Sequence, residues 1–130
     1  MFMLLQLALA LLSFGSVFIG QPRFDLDFYW WRVAGFVAIF LGIGLFAWAR
    51  KSVIFTGPYQ YVRHPLYLAE IFIFVGWWWV WAAVYSFYFG MFILAIIWLQ
   101  AWLEEKLLLV PKYGAKYLEY RQQTGMFWIK

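Results

Sequence analysis

The residues best suited to chemistry lie in two short polar segments that border long apolar stretches. Arg63 and His64 stand immediately before an apolar run that contains Glu70. Glu104 and Glu105, the acidic pair, stand at the end of a later apolar run. A guanidinium, an imidazole and carboxylates can hold a ligand that carries both charges, or move a proton near neutral pH. With no cysteine and one histidine in the chain, thiolate catalysis, cysteine metal sites and multi-histidine metal centres are excluded.

The two polar segments have complementary preferences for ligand charge. His64 and Pro65 mark a predicted helix start, where unpaired N–H groups at the positive end of the helix dipole favour an anion. The acidic pair would accept hydrogen bonds from hydroxyls or an ammonium. Three tyrosine rings could face a cation: Tyr59, Tyr61 and Tyr67. S-adenosylmethionine, with a carboxylate, an ammonium, a ribose diol and a cationic sulfur, could use all of these groups.

Long hydrophobic stretches must position these segments. The 130 residues are 67% hydrophobic and 26% aromatic, with only 12% charged residues, far from the composition of soluble domains. The sequence predicts one all-α, multi-pass integral membrane domain, residues 1–130, with about four transmembrane helices and a C-terminal interfacial helix. The predicted spans are residues 1–20, 29–48, 65–85 and 87–105, a polar turn covers 21–27, and the interfacial helix covers 112–124.

The third and fourth spans are predicted to form a tight antiparallel hairpin, because only Ser86 separates them. The start of the third should then lie beside the end of the fourth, which places Arg63 near the acidic pair. Arg63, Tyr67 and Glu70 also share one predicted helical face, so Arg63 is the expected cationic partner of Glu70. The fourth helix should end at Pro111, with the acidic pair near water.

The basic residues predict the orientation of the chain in a cell membrane. Eight lie on the side of the 50–64 connection and the C-terminal tail: Arg50, Lys51, Arg63, Lys106, Lys112, Lys116, Arg121 and Lys130. Only Arg23 and Arg32 lie near the other face. The positive-inside rule therefore predicts that both termini and residues 50–64 are cytoplasmic. Because these residues flank apolar spans, we expect no nucleic-acid partner.

A stripe of small residues in the second span offers a surface where another helix could approach closely. Ala34, Ala38 and Gly42 recur every four residues. Such spacing is typical of helix contacts in membranes, and it predicts a possible face for homo-oligomers.

Three sequence blocks carry a family resemblance. They are Gly57-Pro58-Tyr59-Gln60-Tyr61-Val62-Arg63-His64-Pro65-Leu66-Tyr67, the acidic pair, and Tyr113-Gly114-Ala115-Lys116-Tyr117-Leu118-Glu119-Tyr120. In order and spacing, over residues 45–125, they resemble the isoprenylcysteine carboxyl methyltransferase family and the related phospholipid N-methyltransferases. The resemblance implies an S-adenosylmethionine-dependent membrane enzyme that methylates a lipophilic small molecule or lipidated substrate.

The resemblance also implies roles for individual residues. The implied cofactor contacts are Tyr59, His64, Pro65, Leu66, Tyr67 and Glu104 or Glu105, with residues 51–54 bordering the pocket. Arg63 and His64 are the implied catalytic residues, and Arg63 would orient an anionic acceptor. Gln100, the second implied substrate contact, stands where carboxyl methyltransferases of the family tend to carry an arginine. An amine acceptor would have to lose a proton, for which His64 or a glutamate is the nearby candidate.

Two other functions compete with this prediction. One is a membrane NAD(P)H-dependent reductase related to sterol reductases, which have a related C-terminal helical layout. A pyrophosphate would need more cationic groups than the sequence offers at the site. The other is a non-catalytic membrane protein with a degenerate pocket. The choice between carboxylate and amine acceptors, and between the two glutamates as cofactor contact, stays open at this level.

Overall fold

The computed structural model describes residues 2–25 and 29–130, which are helical with isolated bridges and no strands. The helices are α1 (Phe2–Ser16), α2 (Tyr29–Lys51), α3 (Pro65–Trp81), α4 (Val84–Glu104), α5 (Val110–Tyr113) and α6 (Ala115–Gln123). A 3-10 turn, Gly57–Gln60, precedes α3, and a π-helical turn, Glu105–Leu109, joins α4 to α5. Met1 and part of the predicted polar turn, residues 26–28, lie outside the described residues.

Within the described part of the chain, two helical stretches are long and apolar enough to cross a membrane. They are Trp30–Lys51 in α2 and the continuous stretch Val84–Tyr113 that begins with α4. The apolar stretches of α1 and α3 are shorter, Leu4–Ser16 and Pro65–Trp81. Of the four predicted membrane-spanning helices, two are therefore long and apolar enough to cross a membrane.

Helix α1 ends at Ser16, short of the predicted boundary near residue 20, because polar side chains bond to the backbone at its end. The Ser16 hydroxyl donates to the Ser13 carbonyl at 2.9 Å. The Gln21 side-chain amide donates to the Ser16 carbonyl at 2.7 Å, which draws the following segment back over the helix end.

The α3–α4 hairpin turns earlier than predicted. Helix α3 ends where Ala82 adopts a left-handed backbone conformation with φ of 49°, and α4 begins at Val84. A neighbouring loop fixes this turn, because the Phe24 N–H donates to the Ala82 carbonyl at 2.8 Å. Ser86, the predicted separator, is buried inside α4, where Gln21 bonds to its backbone N–H and its hydroxyl.

Helices α2 and α3 pack closely because glycines let their backbones approach. A Cβ added to Gly42 would lie 2.8 Å from a backbone carbonyl oxygen of α3, and one added to Gly76 would lie 2.6 Å from the Gly35 carbonyl oxygen. The predicted oligomer face of Ala34, Ala38 and Gly42 thus contributes Gly42 to packing within the chain, whereas Ala34 is exposed. On the other side, α3 packs with α1 and α4 around a core of Leu9, Val17, Phe74, Trp78, Ala83, Ile93 and Ile97.

The helix that begins with α4 continues through Pro111, where the sequence predicted its end. The Val110 N–H donates to the Glu105 carbonyl five residues back, which is π-helical spacing. Pro111 then takes an early position in α5, where a missing N–H costs little. The chain bends instead at Gly114, whose φ of 57° and ψ of −134° suit glycine. The predicted interfacial helix 112–124 is therefore divided, and its main part is α6.

The α2–α3 contact gives a direct test with a matched control on one helix. Gly42→Ala forces a methyl group against the α3 backbone, so we expect a loss of about 1 to 3 kcal/mol, the usual cost of overpacking. The change should appear as a lower melting temperature in detergent.

Gly44→Ala is the control, because a Cβ there meets no atom within 4 Å. Since alanine favours helix more than glycine does, this variant should melt at or slightly above the wild-type temperature. Equal melting of the two variants would contradict close α2–α3 packing at Gly42.

Candidate functional site

A cavity of about 300 Å³ lies at the end of the bundle that holds the start of α3 and the end of α4. Its volume is at the lower end of the range for small-molecule sites. Most of the sequence-predicted site residues line it: Tyr59, Arg63, His64, Leu66, Tyr67, Gln100 and Glu104. Pro65 and Glu105 are buried outside its lining. Of the predicted border 51–54, Ile54 faces the cavity.

Glu105 holds the two polar segments together beside the cavity. Its Oε2 accepts a hydrogen bond from Arg63 Nη1 at 2.9 Å, and its Oε1 lies 3.0 Å from His64 Nε2. Arg121 Nε lies 3.9 Å from Oε2. The Glu105 side chain is only 3% exposed, so the prediction that the acidic pair lies near water is wrong for this residue. The predicted proximity of Arg63 to the acidic pair is confirmed.

The predicted pairing of Arg63 with Glu70 is wrong. Helix α3 begins at Pro65, so Arg63 precedes the helix and does not share its face with Glu70. Its guanidinium points instead to Glu105 on the facing chain segment. Among the described residues, no basic side chain lies within ion-pair distance of Glu70.

Glu104 lines the cavity, whereas Glu105 lies outside the lining and binds Arg63 and His64. The Glu104 side chain is 29% exposed, and its Oε2 lies 3.9 Å from His64 Nδ1. On the same side, Gln100 Nε2 donates to the Tyr67 hydroxyl at 3.3 Å. Burial, and secondarily the charge of Glu104, raise the pKa of Tyr59. The Tyr59 hydroxyl therefore stays protonated at neutral pH and can donate a hydrogen bond to a ligand.

The C-terminal segment is bonded to the backbone of the residues that precede α3. The Arg63 N–H donates to the Gly125 carbonyl at 2.9 Å, and the His64 N–H donates to the Met126 carbonyl at 3.2 Å. Both N–H groups are therefore unavailable to the anion predicted at the start of α3.

Helix α6 adds two tyrosines to the cavity wall. Tyr117 and Tyr120 line the cavity, and the Tyr120 hydroxyl donates to the Tyr59 carbonyl. Burial raises the pKa of Tyr120 to about 12, against an opposing effect of Arg63. This tyrosine is therefore a neutral donor that ties α6 to the 3-10 turn.

Sequence reasoning missed the cavity residues that come from the first two helices. They are Gln6 of α1 and Phe46 and Arg50 of α2. Gln6 could have been found from the sequence, because its amide interrupts an apolar run. The other polar side chains of that run are the smaller hydroxyls of Ser13 and Ser16. Phe46 and Arg50 could not have been found in this way, because their sequence neighbours do not distinguish them from other residues of a membrane-like helix.

Several buried polar atoms at the cavity have no hydrogen-bond partner among the described residues. They are both side-chain polar atoms of Gln6, Nε of Arg63, Oε2 of Glu70, Oε1 of Gln100 and the hydroxyl of Tyr117. Buried polar atoms in proteins are normally paired. The set combines donors and acceptors, so it fits a ligand that carries both.

Comparison of the chain with protein-family models, curated proteins and solved structures gives no match. The family resemblance of the three sequence blocks therefore stays a prediction.

The two glutamates should differ sharply in their effect on stability. Glu105→Gln removes the charge that Arg63 and His64 share in a buried position, so we expect a loss of about 1.5 to 3 kcal/mol, the range for hydrogen bonds to charged groups. Glu104→Gln, at a partly exposed position, should change the ligand-free protein little. Thermal unfolding of both variants in one detergent provides the measurement. An equal loss of stability in the two variants would show that the buried contacts of Glu105 do not stabilise the fold more than Glu104 does.

Proposed function

We propose that this chain is a membrane-embedded methyltransferase that uses S-adenosylmethionine to methylate a lipophilic acceptor at the cytoplasmic face. The observation that carries the proposal is the cavity, where carboxylates, cationic groups and aromatic rings meet beside an apolar bundle. All three family-like blocks contribute to its lining: Tyr59, Arg63, His64, Leu66 and Tyr67 of the first, Glu104 of the second, and Tyr117 and Tyr120 of the third.

The exposed surface of the helices supports placement in a bilayer. Large apolar side chains face outward on several helices, including Leu11 of α1, Trp30 and Phe40 of α2, and Phe92 of α4, each more than 60% exposed. In water such surface would favour association. Lipid tails match it, and helices leave no unpaired backbone groups within the bilayer.

We propose four crossings, although among the described residues two helices are long and apolar enough to cross a membrane by themselves. Helix α3 has 17 residues, which is at the short end of the range of about 17 to 25 for membrane helices. Helix α1 is shorter, and Val17–Gly20 extends its apolar stretch. The turn at Ala82 is bonded to the loop at Phe24, whereas the C-terminal tail is bonded to residues 63–64. This grouping of the connections, one group at each end of the bundle, supports four crossings.

The residues present fit S-adenosylmethionine. Glu104 offers a carboxylate for its hydroxyl or ammonium groups, and Arg50 offers a cation for its carboxylate. Tyr59 and Tyr67 offer rings for its cationic sulfur. When bound, this cofactor supplies a methyl group that is displaced in line from sulfur. The chain's own contribution is to align the two reactants and to exclude water, for which Tyr117 and Tyr120 form part of the cavity wall.

The charges at the cavity argue against a nicotinamide cofactor. Arg63 already pairs with Glu105, which leaves Arg50 as the cavity's other arginine, while Glu70 and Glu104 are both acidic. A pyrophosphate would meet little net positive charge there.

The four-crossing arrangement makes a prediction about sidedness. Because eight basic residues flank one side and two flank the other, reporter domains fused after Lys130 and inserted at Asp25 should report opposite sides of the membrane. The reporter after Lys130 should be cytoplasmic. Detection of both reporters on one side would rule out four crossings.

Binding of the demethylated product tests the proposed function itself. Calorimetric titration of S-adenosylhomocysteine into detergent-purified protein should show binding. Glu104→Gln should weaken it by roughly tenfold or more, because hydrogen bonds to a charged group contribute about 1.5 to 3 kcal/mol.

Glu119→Gln is the matched control, since Glu119 lies exposed on α6 outside the cavity. It should bind like wild type. Absence of binding to the wild-type protein would overturn the proposed cofactor, and stabilisation by NADPH instead would point to the reductase.

A further inference from the structure

Lysines and aromatic rings meet outside the cavity, where a turn that follows α2 contacts α5 and α6. We call Phe55, Lys112, Tyr113 and Lys116 the lysine–ring surface. The Phe55 and Tyr113 rings meet edge to face, with their centroids 5.5 Å apart. Lys116 Nζ lies 4.8 Å from the centre of the Phe55 ring, and Lys112 Nζ lies 5.2 Å from the centre of the Tyr113 ring. Two cations therefore lie over a pair of touching rings.

The surroundings of Phe55 hold its ring in place. Its φ of 77° lies in the left-handed region, which is uncommon for a bulky residue and persists where neighbouring contacts fix it. Here the Thr56 N–H donates to the Val53 carbonyl at 3.0 Å, and the Val53 N–H donates to the Thr56 hydroxyl at 3.2 Å. The Phe55 ring also meets the Tyr120 ring of α6, with 4.9 Å between centroids. The ring that lies under Lys116 is therefore fixed by the turn and by α6.

The two lysines of this surface are not neutralised by a carboxylate. Among residues 2–25 and 29–130, no Asp or Glu side chain lies within ion-pair distance of Lys112 or Lys116. Glu119 follows Lys116 by one helical turn of α6 and still does not pair with it. The positive charge of the surface is therefore available to an external anion, and lysines bind phosphate groups as point charges.

Exposed apolar side chains border the same lysines. Val53, in the turn that carries Phe55, is 71% exposed, and Leu108, four residues before Lys112, is 48% exposed. A soluble anion such as free phosphate would leave these apolar side chains in water. An anionic phospholipid offers a phosphate to the lysines and hydrocarbon to the apolar side chains. Aromatic rings and lysines are typical of the level of lipid head groups, so the surface favours a lipid over a soluble anion.

We propose that the lysine–ring surface binds the phosphate head group of an anionic phospholipid of the bilayer, at a site separate from the cavity. Lys112 and Lys116 bind the phosphate oxygens, and the lipid's hydrocarbon chains cover Val53 and Leu108. The inference rests on the proposed placement of the chain in a bilayer and not on methyl transfer. The lipid at this surface is a bound partner and is not a methyl acceptor.

Dioctanoyl phosphatidylglycerol is the probe, and dioctanoyl phosphatidylcholine is the comparison with the same chains and no net charge. Each is titrated into the full chain in neutral dodecyl maltoside micelles, and binding is measured by calorimetry. We expect phosphatidylglycerol to bind the wild-type protein roughly tenfold more tightly than phosphatidylcholine or better. Added salt should weaken this binding, because the lysines are exposed. Inorganic phosphate should not displace the lipid, since it has no hydrocarbon chain.

The two lysines give the variants, and Lys130 gives the matched control. Lys112→Gln and Lys116→Gln should each weaken phosphatidylglycerol binding roughly fivefold, because a lysine near an anionic lipid surface contributes about 1 kcal/mol. The double variant should lose roughly 25-fold. Lys130→Gln removes the same charge outside the surface, where Lys130 Nζ donates to the Gln122 carbonyl, and it should bind like wild type. All three lysines are exposed, so the variants should keep the wild-type melting temperature.

Four results would overturn this lipid site. They are equal binding of the two lipids, wild-type binding by the double variant, displacement by inorganic phosphate, and an equal loss in Lys130→Gln, which would show a general effect of positive charge. The test is independent of the proposed methyl transfer. S-adenosylhomocysteine should bind the double variant as it binds wild type, because neither lysine lines the cavity. If S-adenosylhomocysteine fails to bind the wild-type protein, the proposed methyl transfer fails, and phosphatidylglycerol binding still decides the lipid site.

Discussion

A buried carboxylate needs compensating charge and hydrogen bonds, and Glu105 obtains the charge from Arg63, more than forty positions earlier in the chain, with His64 as its second polar contact. Arg63 and His64 come to Glu105 because the α3–α4 hairpin returns the end of α4 to the start of α3. The same two residues use their backbone N–H groups to hold Gly125 and Met126 of the tail. One cluster thus joins the loop before α3, the end of α4 and the C-terminal segment. The cavity lies beside this cluster, and its lining includes residues of the loop before α3, of α4 and of α6.

The acidic pair can serve two purposes because neighbours on a helix point about 100° apart. Glu105 turns inward to the arginine and histidine, and Glu104 faces the cavity. The π-helical turn that begins at Glu105 follows immediately, and such turns often occur at functional sites. It also allows the helix to pass Pro111 and to deliver α6, with Tyr117 and Tyr120, across the cavity.

Local rules predicted the parts of this arrangement that depend on chain order and hydrophobic length. The start of α3 at Pro65 and the approach of Arg63 to the acidic pair are of this kind. The rules failed where a contact between distant parts of the chain determines a helix end or a side-chain pair. Ala82 ends α3 because it is bonded to Phe24, and the predicted Arg63–Glu70 pair assumed that the helix includes Arg63. The position of Gln6 depends on how α1 packs, which no local pattern encodes.

The charges around the cavity change with depth, and this order has a consequence for how two reactants would meet. Arg50 and Glu104 lie at exposed or partly exposed positions, where a polar cofactor would enter from water. Arg63 is neutralised by Glu105 in between. Glu70 is left as the inner carboxyl, beside an apolar groove along α1 that Ala10 and Phe14 line. In the proposed reaction the polar donor and the lipophilic acceptor would therefore arrive from different sides, which keeps the acceptor's hydrocarbon chain out of water while its nucleophile reaches the methyl group.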